Sequence, residues 1–565
     1  MDGQKEGPGK RFSDISTNPA AFWSTTLDSR VCHVDSSSLS TVDSRINASA
    51  PISRLPPELL LSIFSYFLDQ EHWERCPVEH APRTAPWVRF AHVCRRWRHV
   101  MLTSPSLWRS LVFPLPHKWA RTMLTRSQSL PLLISCHADL TAHSSDWRMP
   151  FDTLAQVKIF DLSGFKGRHP DLTSLLSTPA PLLEMADVIM PPDLPPAQLF
   201  ADDAPRLRKL TVRQALSLPW TSSFLRHLVS LEIVSSEIDT LRDSLPSLPD
   251  YLAALRQLSQ IETLLLNGCL HPFSSVLPSQ VSDSEVVQLP LLHRLDISGS
   301  VSECVGFLHH IKTPNTVALG VTSITEEGIW DFDEIYPFLA PTREPYRDAV
   351  FESTGANQLT LFARHARYGP TDRLFRFQWD DPEDTAIDLM CTLCAMIGVR
   401  HLSSLSINLD CEKSARNHGP WIDPAVWLDT FGGATELESL GVSGMAGVAL
   451  CKILAASMED ETWRRSGVAG GTIVWPRLRD LLLYQVNFAR SFKRVDGEEG
   501  SDIAAGMRVD EVLLRELERR HRRGAPLDKL DLLSCSLASS WLRKVGGIVA
   551  SLDADSRVNA VRSDA

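Results

Sequence analysis

The sequence predicts an α/β protein in which a small all-helical module at the N-terminus precedes a solenoid of parallel strands alternating with helices. Three observations predict this fold. Two amphipathic helical segments lie within residues 52–113. Downstream, the pattern L-x-x-L-x-[LIV] occurs nine times, and helical patterns separate several of its copies. A single unit of this kind cannot bury its apolar face, so neighbouring units must stack.

The helical module opens with Leu55-Pro56-Pro57-Glu58, because proline suits the first helical position and glutamate suits the positive end of the helix dipole. The apolar residues of the first segment share one helical face: Leu59, Leu60, Ile63, Phe64 and Phe67. A second helix is predicted from the same spacing at Phe90, Val93, Cys94 and Trp97. Pro105 ends that helix before Leu107 and Trp108, so we expect two packed helices within residues 49–113.

The order LPPELLxxIF, HVCRRWR and Pro-Ser-Leu-Trp resembles the F-box, with an insert from about Asp69 to Pro86 that the usual pattern lacks. In that family the module docks on a Skp-type linker protein, which binds a cullin. The resemblance assigns the linker-binding surface and its support to Leu55, Pro56, Leu59, Ile63, Phe64, Val93, Cys94 and Trp97. The alternative is a plain helical bundle that closes the end of a larger domain.

The composition restricts the class of protein. The chain has 565 residues, of which 43% are hydrophobic and 22% charged, so it can bury a large core. Its formal net charge of -11 offers no global attraction for nucleic acid or an anionic membrane. No apolar run is long enough to span a membrane, and the 11 cysteines are scattered. We expect a soluble protein of the cytoplasm, the nucleus or both, with protein partners.

The repeated pattern organises residues 114–550. Its nine copies are Leu207/Leu210/Val212, Leu228/Leu231/Ile233, Ile261/Leu264/Leu266, Leu292/Leu295/Ile297, Thr316/Leu319/Val321, Leu402/Leu405/Ile407, Leu437/Leu440/Val442, Leu478/Leu481/Leu483 and Leu527/Leu530/Leu532. Residues 322–399 lack it, which suggests an irregular insertion. An irregular α/β domain with chance leucines is the alternative. We expect residues 1–48 to be a disordered leader and 551–565 a disordered tail.

The repeats resemble the leucine-rich repeats that follow F-boxes in many fungal and other eukaryotic proteins. That combination implies a substrate receptor. In an L-x-x-L-x-L strand, the residues between the buried positions face the opposite side of the sheet. This reasoning predicts a mixed polar substrate-binding surface that includes Lys209, Arg213, Glu232, Asn267, Arg294, Asp296, Asn408, Asp480, Tyr484, Lys529 and Asp531.

Three other motifs favour structural roles. The thiols of Cys391 and Cys394 share the apolar face of a predicted helix, which favours core packing over a zinc or redox site. The spacing of His72, Cys76 and His80 suggests a metal site only weakly, because Pro77 interrupts it. The basic run at 519–523 ends a predicted helix, where cations are favoured by the dipole, although it also resembles an import or nucleic-acid signal.

Together these patterns predict a non-catalytic adapter with no metal and no cofactor. The F-box would bind a Skp-type linker, and the repeats would hold a protein substrate for an SCF-type cullin-RING ubiquitin ligase. The alternative is a scaffold or regulatory protein that binds the linker without promoting ubiquitination. Neither nucleic acid nor a membrane is an expected partner.

Overall fold

The structure of the protein is a computed structural model. It divides the chain into two units, residues 1–207 and 208–565. The described residues are 50–73, 90–113, 115, 117–136, 152–163, 170–191, 194–213, 220, 222–235, 247–272, 282, 285–314, 317–325, 337–338, 345–353, 358–365, 373–379, 385–409, 424–456, 473–489, 507–535 and 537–554. Over these ranges, no helix combines the length and apolar character needed to cross a membrane.

The first unit combines helices with short parallel strands. Its elements are α1 Pro57–Trp73, α2 Arg95–Thr103, β1 Ser110–Phe113, α3 His117–Ser127, β2 Leu132–Cys136, β3 Val157–Asp161, α4 Pro170–Leu176 and β4 Met185–Ile189. The strands pair in parallel in chain order, β1 with β2, β2 with β3 and β3 with β4. Leu111, Ile134, Phe160 and Val188 are buried, so each strand contributes to the apolar core of this unit.

The second unit is built on a large, mostly parallel sheet. Its elements are β5 Lys209–Arg213, β6 Ser230–Val234, α5 Leu248–Gln257, β7 Thr263–Asn267, β8 Val287–Gln288, β9 Arg294–Gly299, α6 Val301–His310, β10 Ile311–Lys312, β11 Ala318–Thr325, β12 Asp348–Ser353, β13 Gln358–Arg364, β14 Arg373–Trp379, α7 Thr385–Ile397, β15 Ser404–Leu409, α8 Pro424–Phe431, β16 Ser439–Ser443, α9 Gly444–Ala456, β17 Asp480–Tyr484, α10 Val509–Arg522, β18 Lys529–Leu533, α11 Ser539–Val545 and β19 Ser551–Ala554. Together with the first unit, it gives a mixed α/β protein.

The strand register aligns the apolar positions of the repeated pattern. In β5, β6, β7 and β9, one buried row consists of Leu210, Leu231, Leu264 and Leu295. The next buried row consists of Val212, Ile233, Leu266 and Ile297. Every described residue of the nine sequence matches is buried. The leucine pattern therefore forms continuous apolar rows along one face of the sheet.

Backbone hydrogen bonds fix this register at the start of the strands. The Glu438 carbonyl oxygen accepts the Arg479 N–H at 2.8 Å and the Asp480 N–H at 2.9 Å. The same two-amide arrangement recurs at the carbonyls of Arg208, Val229, Glu262, Arg347, Ser403 and Arg479. Each of these carbonyls joins the start of one strand to the start of the next, so a slip of one residue would break two hydrogen bonds.

Several strands end in the same bend. The residue that follows β7, β16, β17 and β18 has a positive φ angle: 66° at Gly268, 54° at Gly444, 53° at Gln485 and 54° at Ser534. Glycine adopts this left-handed conformation at little cost, whereas other residues are strained in it. The same left-handed bend is therefore formed by glycine after β7 and β16 and by a strained residue after β17 and β18.

The segment without a sequence repeat, 322–399, breaks the parallel order. Strand β13 runs antiparallel to both β12 and β14. Strand β14 pairs in parallel with β11, and β12 pairs in parallel with β15, so the sheet continues across this segment. At the C-terminal end, the sheet also extends beyond the predicted boundary at 550. Residues 551–554 belong to β19 and not to a tail, because their backbone pairs with β18.

Two arginines of the basic run are structural. Arg520 is 1% exposed and donates hydrogen bonds to the carbonyl oxygens of Val474, Trp475 and Leu478 at 2.8, 3.1 and 3.1 Å. Burial lowers the pKa of its guanidinium group. Arg519 is also buried, and it bonds to the Glu516 carboxylate at 2.6 and 2.9 Å. The basic run does end α10. The side chains of Arg519 and Arg520 are buried and form their contacts inside the protein, so they cannot contact nucleic acid.

The Arg520 contacts lead to a stability prediction. We expect Arg520→Met to lower the free energy of unfolding by about 2–4 kcal/mol, because buried carbonyl oxygens lose their donor. Arg522→Met, which changes an exposed arginine two residues away, should alter it by less than about 0.5 kcal/mol. Urea denaturation of the two variants measures both values. Equal stability of the two variants would contradict a structural role for Arg520.

The strained bend after β18 leads to a second prediction. Ser534→Gly should raise the free energy of unfolding by about 0.5 kcal/mol, since relief of the left-handed strain exceeds the entropy that glycine adds to the unfolded chain. The same change at Ser230, within β6, should lower it by about 0.5–1 kcal/mol. Thermal unfolding would distinguish them, and a shift of the same sign for both variants would argue against strain at Ser534.

Candidate functional site

The helical module of the first unit has its own aromatic core. Phe64 of α1 is 1% exposed and stacks on Phe90, with ring centroids 5.4 Å apart. Trp97 of α2 meets Phe64 edge-on at 5.1 Å and Phe90 at 6.1 Å. Leu60, one turn earlier on α1, is fully buried. These side chains therefore hold the two helices against each other.

The second helix begins later than the sequence predicted. Cys94 has an extended backbone and is the N-cap of α2, whose first residue is Arg95. Val93 and Cys94 lie in the turn before the helix, where the Val93 N–H bonds to the Phe90 carbonyl at 3.2 Å. The prediction of a single helix through all four apolar positions was therefore wrong, although the turn brings Phe90 onto the same core as Trp97.

Specific side-chain contacts fix the two helices of the module and connect the module to α3. The Arg96 guanidinium group donates to the Leu55 carbonyl oxygen, which fixes the chain before α1 to α2. The Trp108 indole N–H donates to the Met101 carbonyl oxygen at 2.7 Å. Arg126 of α3 lies 4.5 Å above the Trp108 ring, and burial lowers the pKa of its guanidinium group. The orientation of α1 and α2 is thus defined by specific bonds as well as by apolar packing.

Apolar side chains remain exposed on this otherwise packed module. Leu59 is 51% exposed and Val93 is 54% exposed. Ile52 and Tyr66 are also exposed, and these four are most of the exposed large apolar side chains in the described parts of the chain. Tyr66 follows Leu59 by seven residues, two helical turns, and so lies on the same side of α1. Exposed apolar side chains concentrated in one small region are typical of a protein interaction site.

The eight residues predicted to form and support the linker-binding surface differ in exposure and fall into three groups. Pro56, Leu59 and Val93 are exposed, whereas Phe64 belongs to the core. The partly buried remainder comprises Leu55, Ile63, Cys94 and Trp97. Sequence reasoning did not select Ile52 or Tyr66, although the seven-residue spacing from Leu59 indicated Tyr66.

Cationic residues accompany the exposed apolar ones. Arg54, Arg95 and Arg98 are exposed, whereas Glu58 is the exposed acidic residue of the first turn of α1. Among the described residues of the module, these exposed arginines thus outnumber the exposed acidic residue, Glu58. A partner with apolar pockets and acidic groups would complement these side chains.

The comparison with protein families agrees with this geometry. A family model described as F-box-like matches residues 52–114. The chain contains an F-box-like domain. The match includes α1, α2 and β1 and ends one residue after β1. A search of curated proteins finds no match to the chain.

The second candidate surface is the polar face of the sheet in the second unit. The eleven predicted substrate-binding residues occupy strand positions that alternate with the buried rows, and none of them is buried. Several pair with one another. Arg294 donates to Asp296 at 2.7 Å, and Lys529 bonds to Asp531 at 2.5 Å. Asp296 occupies the space that a Cβ atom would need at Gly320, so glycine on β11 makes room for this ion pair.

The electrostatics of this face are mixed. The hydrogen bond that Lys529 donates to the Asp531 carboxylate raises the pKa of Lys529, and the nearby carboxylates of Asp553 and Asp480 add to this shift. Tyr484 presents an exposed aromatic ring beside these strands. Acidic, basic and aromatic groups therefore lie side by side, an arrangement that suits hydrogen-bonded recognition of a protein or peptide.

The cysteine and histidine motifs provide no chemical site within the described ranges. Cys391 and Cys394 lie on α7, and Cys391 is 3.1 Å from the Thr430 hydroxyl. Burial raises the pKa of Cys394 well above its usual value, which suppresses the reactive thiolate. Cys76 and His80 lie outside the described residues. No metal-binding cluster of His, Cys, Asp or Glu is present in the part of the chain that the structure describes.

The contrast between Phe64 and Tyr66 can be tested directly. Phe64→Ala should destabilise the helical module by about 3–5 kcal/mol, because it empties the centre of the aromatic core. Tyr66→Ala should change stability by less than about 0.5 kcal/mol, since its ring is exposed. Hydrogen exchange of the α1 and α2 amides measures the effect in the full chain. Unchanged protection in Phe64→Ala would disprove the assigned core.

Proposed function

We propose that the protein is the substrate-recognition subunit of an SCF-type cullin-RING ubiquitin ligase. F-box domains in general bind Skp-type linkers, and the F-box-like domain at 52–114 fits an adapter of this class. The observation that carries the proposal is the exposure of Leu59 and Val93 beside a well-packed aromatic core. In this role the chain brings a bound target close to ubiquitin carried by other subunits, and it performs no chemistry itself.

Burial and exposure together support a docking role for the module. Leu59 and Val93 are exposed, and covering an apolar side chain contributes about 1.5–3 kcal/mol. A partner that covers both side chains would recover that energy. Arg54, Arg95 and Arg98 would meet acidic groups at the edge of such an interface, which favours rapid association.

We further propose that the second unit is a leucine-rich-repeat solenoid whose polar face is concave. The repeated strand register, the shared carbonyls and the common terminal bend support this assignment. A longer template, L-x-x-L-x-L-x-x-[NC]-x-L, adds support. Residues 527–537 match it, with Cys535 at the variable Asn or Cys position. The buried Cys535 thiol donates to the Leu533 and Leu483 carbonyls at 3.3 and 3.5 Å and so connects two strands.

The polar face of this unit is the proposed substrate-binding surface. Its candidate contacts are Lys209, Arg213, Glu232, Asn267, Arg294, Asp296, Asn408, Asp480, Tyr484, Lys529 and Asp531. Because charges of both signs alternate there, the proposed ligand is a folded protein or peptide with paired charges. A cytoplasmic or nuclear location follows from the proposed role, since the cullin-RING machinery acts there.

A second candidate function is that of a scaffold that binds the linker without promoting ubiquitination. The self-paired charges of the polar face favour this reading, because Arg294 and Lys529 already have acidic partners. The two functions differ in one measurable respect. Disruption of the linker-binding surface would raise the level of a bound protein only if the complex directs that protein to degradation.

Linker binding provides the first test of the proposed function. We expect Leu59→Asp and Val93→Asp each to weaken binding to a Skp-type linker by about 2–4 kcal/mol, or roughly 30- to 1,000-fold in Kd. Each change places a charge where the interface would exclude water. Isothermal titration calorimetry of the full chain against the purified linker measures the loss. Ile63→Asp should also abolish binding, but this site is partly buried, so its folding must be checked.

The chain offers a matched control for these substitutions. Leu291 is an apolar residue of the second unit and is 42% exposed. Leu291→Asp introduces the same charge at similar exposure outside the F-box-like domain, and we expect it to leave the linker affinity unchanged. If the folded wild-type chain fails to bind the linker, the adapter proposal is wrong. Equal weakening by Leu291→Asp and Leu59→Asp would show a non-specific effect of charge.

A further inference from the structure

The cationic residues of this chain are mostly arginine. Of its 57 Lys and Arg residues, 12 are lysine, and the whole F-box-like domain at 52–114 contains none. Among the described residues, eighteen arginine side chains are exposed, compared with five lysine side chains. The exposed lysines are Lys118, Lys209, Lys312, Lys529 and Lys544.

A structural requirement for the guanidinium group explains only part of the preference for arginine over lysine. Arg520 needs the planar guanidinium fork to reach three carbonyl oxygens, and lysine could not replace it. Exposed positions impose no such demand. Arg479, for example, forms an ion pair with Asp528 at 3.6 Å while its side chain is 69% exposed, and lysine would serve there nearly as well. Arginine at many such positions therefore calls for another explanation.

The chemistry of ubiquitin transfer provides one. The lysine ammonium group first loses a proton, and the neutral amine nitrogen then attacks the carbonyl carbon of the ubiquitin thioester on a conjugating enzyme. A C–N bond forms, the C–S bond breaks, the enzyme thiolate leaves, and the nitrogen gives up a second proton to solvent to leave a neutral amide. The arginine guanidinium group keeps its proton at neutral pH, so it cannot act as this nucleophile. A substrate receptor stays close to this thioester for as long as it is part of the complex. Any reactive lysine that it exposes would therefore be modified.

We propose that the folded surface of this chain is a poor ubiquitin acceptor, so that its complex modifies the bound target in preference to the receptor. This inference rests on the proposed ligase function. The state of one lysine adds to the effect of their scarcity. Lys529 donates a hydrogen bond to the Asp531 carboxylate, which raises the pKa of the Lys529 amine and keeps it protonated. Within the described ranges, the remaining exposed lysines are four and lie far apart in the sequence: Lys118, Lys209, Lys312 and Lys544.

The test compares self-modification of wild type with a variant that carries Arg121→Lys, Arg226→Lys, Arg479→Lys and Arg543→Lys. All four positions are exposed and lie outside the F-box-like domain, so charge and linker binding are kept. Each chain is assembled with linker, cullin-RING subunits, conjugating enzyme and ubiquitin in the absence of a target. Because the exposed lysines of the described residues increase from five to nine, we expect the initial rate of ubiquitin attachment to these residues, measured site by site, to rise about twofold.

The same four positions changed to glutamine provide the matched control, which should stay at the wild-type rate. Mass spectrometry should find ubiquitin on the introduced lysines. If they stay unmodified in a complex that discharges ubiquitin to free lysine, the inference is overturned while the proposed function stands. If the chain fails to assemble with the linker, the proposed function fails first, and this inference fails with it.

Discussion

The register between neighbouring strands is the constraint on which the second unit depends. Side chains alternate between the two faces of a strand, so a shift of one residue would move Leu231 and Ile233 to the polar face and Glu232 into the core. The shared carbonyls at the strand starts oppose such a shift, because each holds two consecutive amides of the next strand. Apolar burial and backbone pairing thus favour the same alignment. Their agreement allows successive units to stack although the segments between them differ in length and structure.

This alignment also determines what the sheet can offer to a partner. Once the leucine rows are buried, the polar residues between them must form the opposite face. The F-box-like domain differs, because only part of its apolar residues is buried. Phe64 and Trp97 fill its small core, whereas the side chains of Leu59 and Val93 are exposed. A module with so few core residues has limited stability alone. A partner that covers its exposed apolar residues would therefore stabilise the module as well as bind it.

The sequence was sufficient to predict the leucine rows, the F-box-like motif and the polar positions, because each depends on local spacing. It did not predict β1 and β2, which lack the L-x-x-L-x-L pattern. Nor did it predict β13, whose antiparallel direction is determined by pairing with β12 and β14 and by no local motif. The role of Arg520 was also hidden, since its acceptors lie more than 40 residues away in the sequence. The exposure of Ile52 and Tyr66 was not predicted, because it depends on which side chains pack around them and not on the family motif.

The two candidate surfaces should differ in the physical basis of their interactions. Leu59 and Val93 can contribute to binding only through removal from water, which produces a negative change in heat capacity and little sensitivity to salt. The ion pairs on the sheet, such as Arg294 with Asp296, must first be separated or extended by a ligand. Binding there would gain specificity from matched charges and would weaken as salt screens them. An adapter built this way would hold its linker through apolar contacts and would select its targets through the pattern of charge.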